Sequence, residues 1–127
     1  SETSLFDAKL LNGLREWANQ FNLYLKRLED DRFLILANQA ALDVLEKDKF
    51  KTLESIKETE AKQSIPVSIS VGLAYSEDTY YGLDELANQA QLNVELALAR
   101  GGDQTVVRSH NGQARFYGGK LNVNQKR

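Results

Sequence analysis

Cysteine is absent from the 127 residues. No disulfide framework and no thiolate metal site can be built, which fits a reducing compartment. Long apolar runs are absent too. Stretches such as Phe33-Leu34-Ile35-Leu36-Ala37 fall far short of the ~20 helical residues that cross a bilayer. Basic charge is not in excess: a formal net charge of −2 leaves no electrostatic footprint for nucleic acid or anionic lipid, so neither is an expected partner. The polar start lacks the basic segment and apolar run of a secretory signal. It opens on Ser1-Glu2-Thr3 rather than Met, and a piece of a longer protein is expected. Histidine occurs once, as His110. It precedes Asn111-Gly112 in a predicted turn and reads as exposed and inert, because no second metal ligand lies near it. No Ser/His/Asp or Cys/His constellation can be assembled, and no Walker-type loop is present.

What remains is the composition of one globular domain, 42% hydrophobic and 27% charged. Phe6, Leu10, Leu14, Trp17 and Phe21 recur at helical spacing, with Leu11 and Ala18 widening the stripe, so Trp17 and Phe21 read as core. Thr3 or Ser4 is the expected cap. Leu23–Leu28 and Arg32–Ala37 read as two strands joined by a tight Glu29-Asp30-Asp31 turn, in which Asp tolerates left-handed backbone better than most residues. Residues 39–62 read as helical, with Leu42 and Leu45, then Phe50, Leu53 and Ile56, as two apolar groups. Lys and Glu fill the other face, and a break is expected near Lys47-Asp48.

Pro66 ends that region. Val67, Ile69, Val71 and Leu73 then alternate with Ser68, Ser70, Gly72 and Ala74, the clearest strand pattern in the chain. Ser76–Gly82 reads as a loop, whose Tyr80-Tyr81 either packs on the sheet or meets a neighbouring domain. Leu83, Leu86, Ala87, Ala90, Val94, Ala97 and Leu98 predict a second long amphipathic helix, with Asp84 and Glu85 at its positive end and Gly101-Gly102 as its stop. Thr105–Val107 and Ala114–Tyr117 predict a final hairpin around Asn111-Gly112. The order of elements favours an α+β domain with helices packed on an antiparallel-rich sheet.

The segment Arg27-Leu28-Glu29-Asp30-Asp31-Arg32-Phe33 resembles the Arg-x-Gly-Gly-Asp-Glu-Phe signature of GGDEF nucleotide-cyclase domains. Arg27, Asp31 and Phe33 match it. Glu29 and Asp30 replace its glycines, and Arg32 replaces a metal-binding acid. Ser68-Ile69-Ser70-Val71-Gly72 is similar to the Ser-x-Gly strand of the same family. Ala97-Leu98-Ala99-Arg100-Gly101-Gly102-Asp103-Gln104 and Phe116-Tyr117-Gly118-Gly119-Lys120 look like features of the narrower GdpP/YybT group rather than of GGDEF domains at large. The resemblance implies a cyclase/palm-like, ferredoxin-like fold over residues 1–117, with residues 118–127 beginning a linker toward a DHH/DHHA1 module. It also implies a membrane-anchored bacterial parent carrying PAS and DHH/DHHA1 domains, this piece lying on the cytoplasmic side. The parent would be a homodimer that hydrolyses cyclic di-AMP through the DHH module.

Two departures accompany the resemblance. The family's first strand, with its metal-binding Asp, should precede Phe6 and is missing, so a sheet that is incomplete or dependent on a partner chain is expected. The inhibitory Arg-x-x-Asp site should fall at positions 20 and 23, which hold Gln20 and Leu23.

An active cyclase needs glycine amides close to a triphosphate and carboxylates around Mg²⁺. Here Glu29 and Asp30 set negative charge where phosphates should lie, and each close pair is repelled by about 1 kcal/mol in water. Arg32 ligates no metal. Cyclase chemistry is therefore not expected. Two readings of Glu29, Asp30, Asp31 and Arg32 stay open. In one they contact ATP with Mg²⁺ or Mn²⁺, Asp31 serving as metal ligand and catalytic residue of a weak ATPase, and Arg32 as a phosphate fork. In the other they are an acidic hairpin tip beside an exposed arginine. Arg100-Gly101-Gly102-Asp103 imitates the signature but follows a helix. It reads as a glycine helix stop, or else as an anion nest of free amides. The expected role is regulation and dimerisation of the parent phosphodiesterase, or alternatively that of an inert spacer.

Overall fold

The computed structural model describes residues 2–60, 67–76, 82–108 and 112–119, with side chains described from residue 8 to 59 in the first segment. In chain order the elements are α1 (Glu2–Gln20), β1 (Tyr24–Glu29), β2 (Arg32–Asn38), α2 (Gln39–Lys47), α3 (Lys51–Glu60), β3 (Ser70–Ser76), α4 (Leu83–Ala99), β4 (Gln104–Val107) and β5 (Arg115–Gly118). The predicted Asn111 turn, Pro66, Tyr80-Tyr81, His110, the Phe6 side chain and Lys120 onward lie outside the described residues. Among the described residues, no helix is long and apolar enough to cross a membrane.

The α+β expectation holds. One five-stranded sheet runs in the order β1-β2-β3-β4-β5. Its outer pairs are antiparallel and its two central pairs parallel, so the antiparallel-rich expectation fits only the edges. The reason is topological: helices connect β2 to β3 and β3 to β4, and such crossovers return the chain in the same direction. The sheet is continuous across the described residues, with β2 paired directly to β3 from Arg32↔Ser70 to Asn38↔Ser76. The gap expected from a missing first strand is not seen.

The two faces of the sheet are buried differently. Phe33, Ile35, Val71 and Leu73 point to a large core closed by Leu10, Leu14 and Trp17 of α1, Leu42 and Leu45 of α2, Phe50, and Leu53 of α3. Leu34, Leu36 and Ala74 point to a smaller core against Ala90 and Val94 of α4. Full burial of such a side chain is worth roughly 1.5–3 kcal/mol. Covering on both faces explains why β3 is buried at every position from Ser70 to Ala74 although its sequence alternates. The small residues face the closely approaching α4. At Gly72 an added Cβ would collide with the Ala90 carbonyl and the Val94 amide.

Local chemistry sets several element ends. Asn38 caps α2 by accepting from the Ala41 amide at 2.8 Å. Helix α2 stops where Lys49 and Phe50 both take φ of 58°, which turns Phe50 into the core. Gly101 and Gly102 close α4 with amides donating to Leu98 and Ala97, the Schellman pattern, as the sequence predicts. Three expectations change. Thr3 and Ser4 lie inside α1 instead of capping it. Leu83 is 72% exposed, because it occupies the first residue of α4 rather than its packed face. The turn between β1 and β2 uses no left-handed residue at Asp30 or Asp31. A bulge at Leu28, between Arg27↔Phe33 and Glu29↔Arg32, absorbs the mismatch in twist instead.

Candidate functional site

The hairpin holding Glu29, Asp30, Asp31 and Arg32 is built around Arg27. Its Nη2 donates to the Asp30 carbonyl at 3.0 Å and its Nε to the Glu29 carbonyl at 3.3 Å. Its guanidinium carbon lies 5.8 Å from the Phe33 ring centroid, and Nη2 lies 3.6 Å from the Asp30 carboxylate. The Asp31 carbonyl is also engaged, accepting from the Ser70 amide at 2.8 Å. The turn thus presents carbonyls inward to an arginine and carboxylates outward to water.

Those carboxylates do not converge. Asp30 is fully exposed, and Asp31 is half-exposed with its nearest cation, Arg32, at 3.7 Å. An open pair at that distance contributes about 0–1 kcal/mol. No group of three metal-ligating side chains comes together among the described residues. Successive residues of one turn point different ways, so Glu29, Asp30 and Asp31 do not fit an octahedral Mg²⁺ or Mn²⁺ site. What the tip offers chemically is the half-exposed Arg32 guanidinium, a donor fork of phosphate-binding type. Gln20 is exposed and Leu23 is buried in the core, which leaves no product-binding pair at those positions.

Sequence reasoning missed two polar clusters that tie distant elements together. In the first, Glu46 of α2 accepts from Arg115 Nε at 2.6 Å, Arg115 Nη2 at 3.1 Å and the Tyr117 hydroxyl at 2.6 Å. The Arg115 guanidinium also lies 6.0 Å from the Tyr75 ring. The hydrogen bond to Glu46 holds the Arg115 pKa still further above its ordinary value. Burial, then the bond to Glu46, pushes the Tyr117 phenol up to about 12. In the second cluster, the buried Lys57 ammonium sits 2.6 Å from Asp103 and 3.3 Å from Glu54. Asp103 Oδ1 also accepts from the Ile69 amide at 3.2 Å, and the Asp103 amide donates to Ser70 Oγ at 3.0 Å. These contacts give the Ser70-x-Gly72 strand its role: Ser70 fixes the turn after α4, and Gly72 admits α4 itself. They also occupy Asp103, so Arg100-Gly101-Gly102-Asp103 is a helix stop joined to β3.

Glu46 and Lys57 sit on faces that read as solvated from local sequence. Their partners lie far along the chain, and no short-range pattern marks them. Asn93, fully buried on α4, is similar: its Nδ2 donates to the Leu73 carbonyl at 2.8 Å and the Arg108 carbonyl at 3.2 Å.

Comparison with known proteins bears on what this arrangement serves. Residues 1–116 match the family described as "Cyclic-di-AMP phosphodiesterase GdpP-like, GGDEF domain". The chain is 45% identical over 114 residues, 90% of its length, to the cyclic-di-AMP phosphodiesterase PdeA of Listeria monocytogenes. It is 40% identical over 114 residues, again 90%, to the cyclic-di-AMP phosphodiesterase GdpP of Geobacillus thermodenitrificans, and 36% identical over 124 residues, 98%, to GdpP of Bacillus subtilis. It spans 17%, 17% and 18% of those three relatives respectively. No solved structure matches it. With a GdpP-type family match across almost the whole chain and this identity to three phosphodiesterases, the chain belongs to the GGDEF domain family of cyclic-di-AMP phosphodiesterase GdpP-like proteins.

Proposed function

We propose that this chain is a GGDEF-derived module that has lost cyclase chemistry and regulates, and helps to dimerise, a membrane-anchored cyclic di-AMP phosphodiesterase. Hydrolysis would belong to a DHH/DHHA1 module elsewhere in the parent, and a PAS domain would be a further partner. The cyclase/palm-like ancestry of the fold is part of the same proposal. The observation that carries it is the closed hairpin: Arg27 takes the carbonyls of Glu29 and Asp30, and exposed carboxylates stand where a triphosphate would need amides and metal. The relatives, each named a cyclic-di-AMP phosphodiesterase, supply the chemistry of the parent. The test is excision of this module from the intact phosphodiesterase, followed by steady-state hydrolysis of cyclic di-AMP. A changed rate or ligand response is expected. Identical kinetics would make the module an inert spacer.

A second reading, weak ATP contact, is favoured by the half-exposed Arg32 guanidinium beside Asp31. Calorimetric titration of ATP and GTP, with and without Mg²⁺, decides it. Saturable binding that Arg32→Ala or Asp31→Ala removes would support the reading; no binding by folded protein would end it.

A further inference from the structure

A short edge strand of this fold is held by side chains on both of its faces. β5 is four residues long, lies at the sheet edge and, among the described residues, pairs only with β4. So short an edge strand is marginal on backbone pairing alone. Yet its three side chains are pinned from both faces of the sheet. Arg115 and Tyr117, on one face, bond to Glu46 of α2, and the Tyr117 ring lies 5.0 Å from that of Phe50. Phe116, on the other face, lies under the guanidinium of Arg100, with the carbon 3.6 Å from the ring centroid, a strong cation–π geometry.

Arg100 is itself fixed. Its Nε donates to Gln104 Oε1 at 2.9 Å, and the buried Gln104 amide donates to the carbonyls of Arg100 and Gly102 at 3.3 and 3.2 Å. The chain then passes Gly118, paired with Gln104, and Gly119, at φ of 80° and 87°. An added Cβ at Gly118 would meet the Glu54 carboxylate at 2.9 Å. The two motifs that the hairpin chemistry leaves unused, Arg100–Gln104 and Phe116–Gly119, are therefore two halves of one joint.

We propose that β5 is the output element of the module: the Arg100–Phe116 stack, the Glu46 clamp and the left-handed Gly118-Gly119 pair fix how the chain leaves the sheet, and regulation passes through that joint. The inference rests on the regulatory reading above and locates its mechanism. Coupling between modules needs a rigid element whose arrangement both sides bias, and three successive anchored side chains make β5 such an element. The chain spans only 17–18% of the three phosphodiesterase relatives, so most of each lies outside the part that this module matches, and the segment after Gly119 is the one that the joint would position.

The experiment uses the intact phosphodiesterase in four forms: wild type, module excised, a short flexible Gly-Ser insertion after Gly119, and Phe116→Leu. The insertion follows the last described residue and so leaves the described contacts of β5 in place, and Phe116→Leu keeps apolar bulk while removing the ring face. Excision is expected to change cyclic di-AMP turnover about fivefold or more, the usual size of an allosteric coupling. The insertion should reproduce the excised rate, and Phe116→Leu should move in the same direction. If excision changes the rate while the insertion behaves as wild type, the joint is refuted and the regulatory reading stands. If excision changes nothing, the regulatory reading fails first, and the joint with it.

Discussion

Glu46 and Arg115, 69 residues apart, meet as a two-point pair, with Nε at 2.6 Å and Nη2 at 3.1 Å from the two carboxylate oxygens. Tyr117 completes the clamp by donating to the same carboxylate. Charge-assisted, bidentate pairs are the strong members of their class. Arg115 is 40% exposed at its side chain, so solvent weakens the Coulombic part. Glu46→Ala is expected to lower the stability of this domain by about 2 kcal/mol, mostly through the two partners left unsatisfied. Urea denaturation reads this directly. An unchanged midpoint would show that β5 does not depend on the clamp.

The same clamp predicts an alkaline response. Tyr117 titrates near 10.0 when unperturbed and near 12 in the folded domain. A folded pKa above the unfolded one means that the full stabilising contribution is present below the unfolded value. It is lost as pH rises through the folded value, because the unfolded chain releases its proton first. Stability should therefore fall between about pH 10 and about pH 12. Tyr117→Phe should reduce that decline while lowering stability by about 1 kcal/mol at neutral pH. Parallel pH profiles for the two proteins would contradict the assignment.

Gly72 sits where α4 crosses β3, and an added Cβ would strike the backbone of Ala90 and Val94. Backbone cannot step aside as a side-chain tip can. Gly72→Ala should therefore destabilise by about 3 kcal/mol or more, the upper range for overpacking. Thermal unfolding should show a large loss. A small one would mean that α4 is free to slide.

Lys57 is buried between Asp103 and Glu54. Truncating one partner of a buried pair leaves the other without compensation, so Lys57→Ala should lose about 3 kcal/mol. Lys57→Met combined with Asp103→Asn should recover part of that, because packing is kept and, of the two carboxylates facing Lys57, the nearer one loses its charge. A double-mutant cycle in urea measures the coupling. Full additivity would mean that the ammonium and carboxylate do not interact.

Much of the fold is legible in local pattern, and the contrasts have physical reasons. Leu10, Leu14, Trp17 and Ala18 announce the buried face of α1, and Gly101-Gly102 announce the end of α4, because helical period and left-handed backbone are local properties. The parallel centre of the sheet is not legible, since nothing local in Val71 or Leu73 states which strand lies alongside. The candidate site divides the same way. Glu29, Asp30, Asp31 and Arg32 are visible as a run of replaced signature residues. Their divergence into solvent is decided by Arg27 closing the turn from inside. Glu46, Lys57 and Asn93 look like ordinary polar helix positions until distant strands bring Arg115, Asp103 and the Leu73 carbonyl to them.

The central claim is that the hairpin takes no direct part in the parent's hydrolysis while the module as a whole still acts on it. One side-by-side assay tests it most directly: steady-state cyclic di-AMP hydrolysis by the intact phosphodiesterase, by its Asp31→Ala variant, and by the form lacking this module. The account predicts that Asp31→Ala stays within about twofold of wild type and that excision moves the rate by about fivefold or more, a coupling-sized effect. Loss of hydrolysis in Asp31→Ala, or excision without effect, would contradict it.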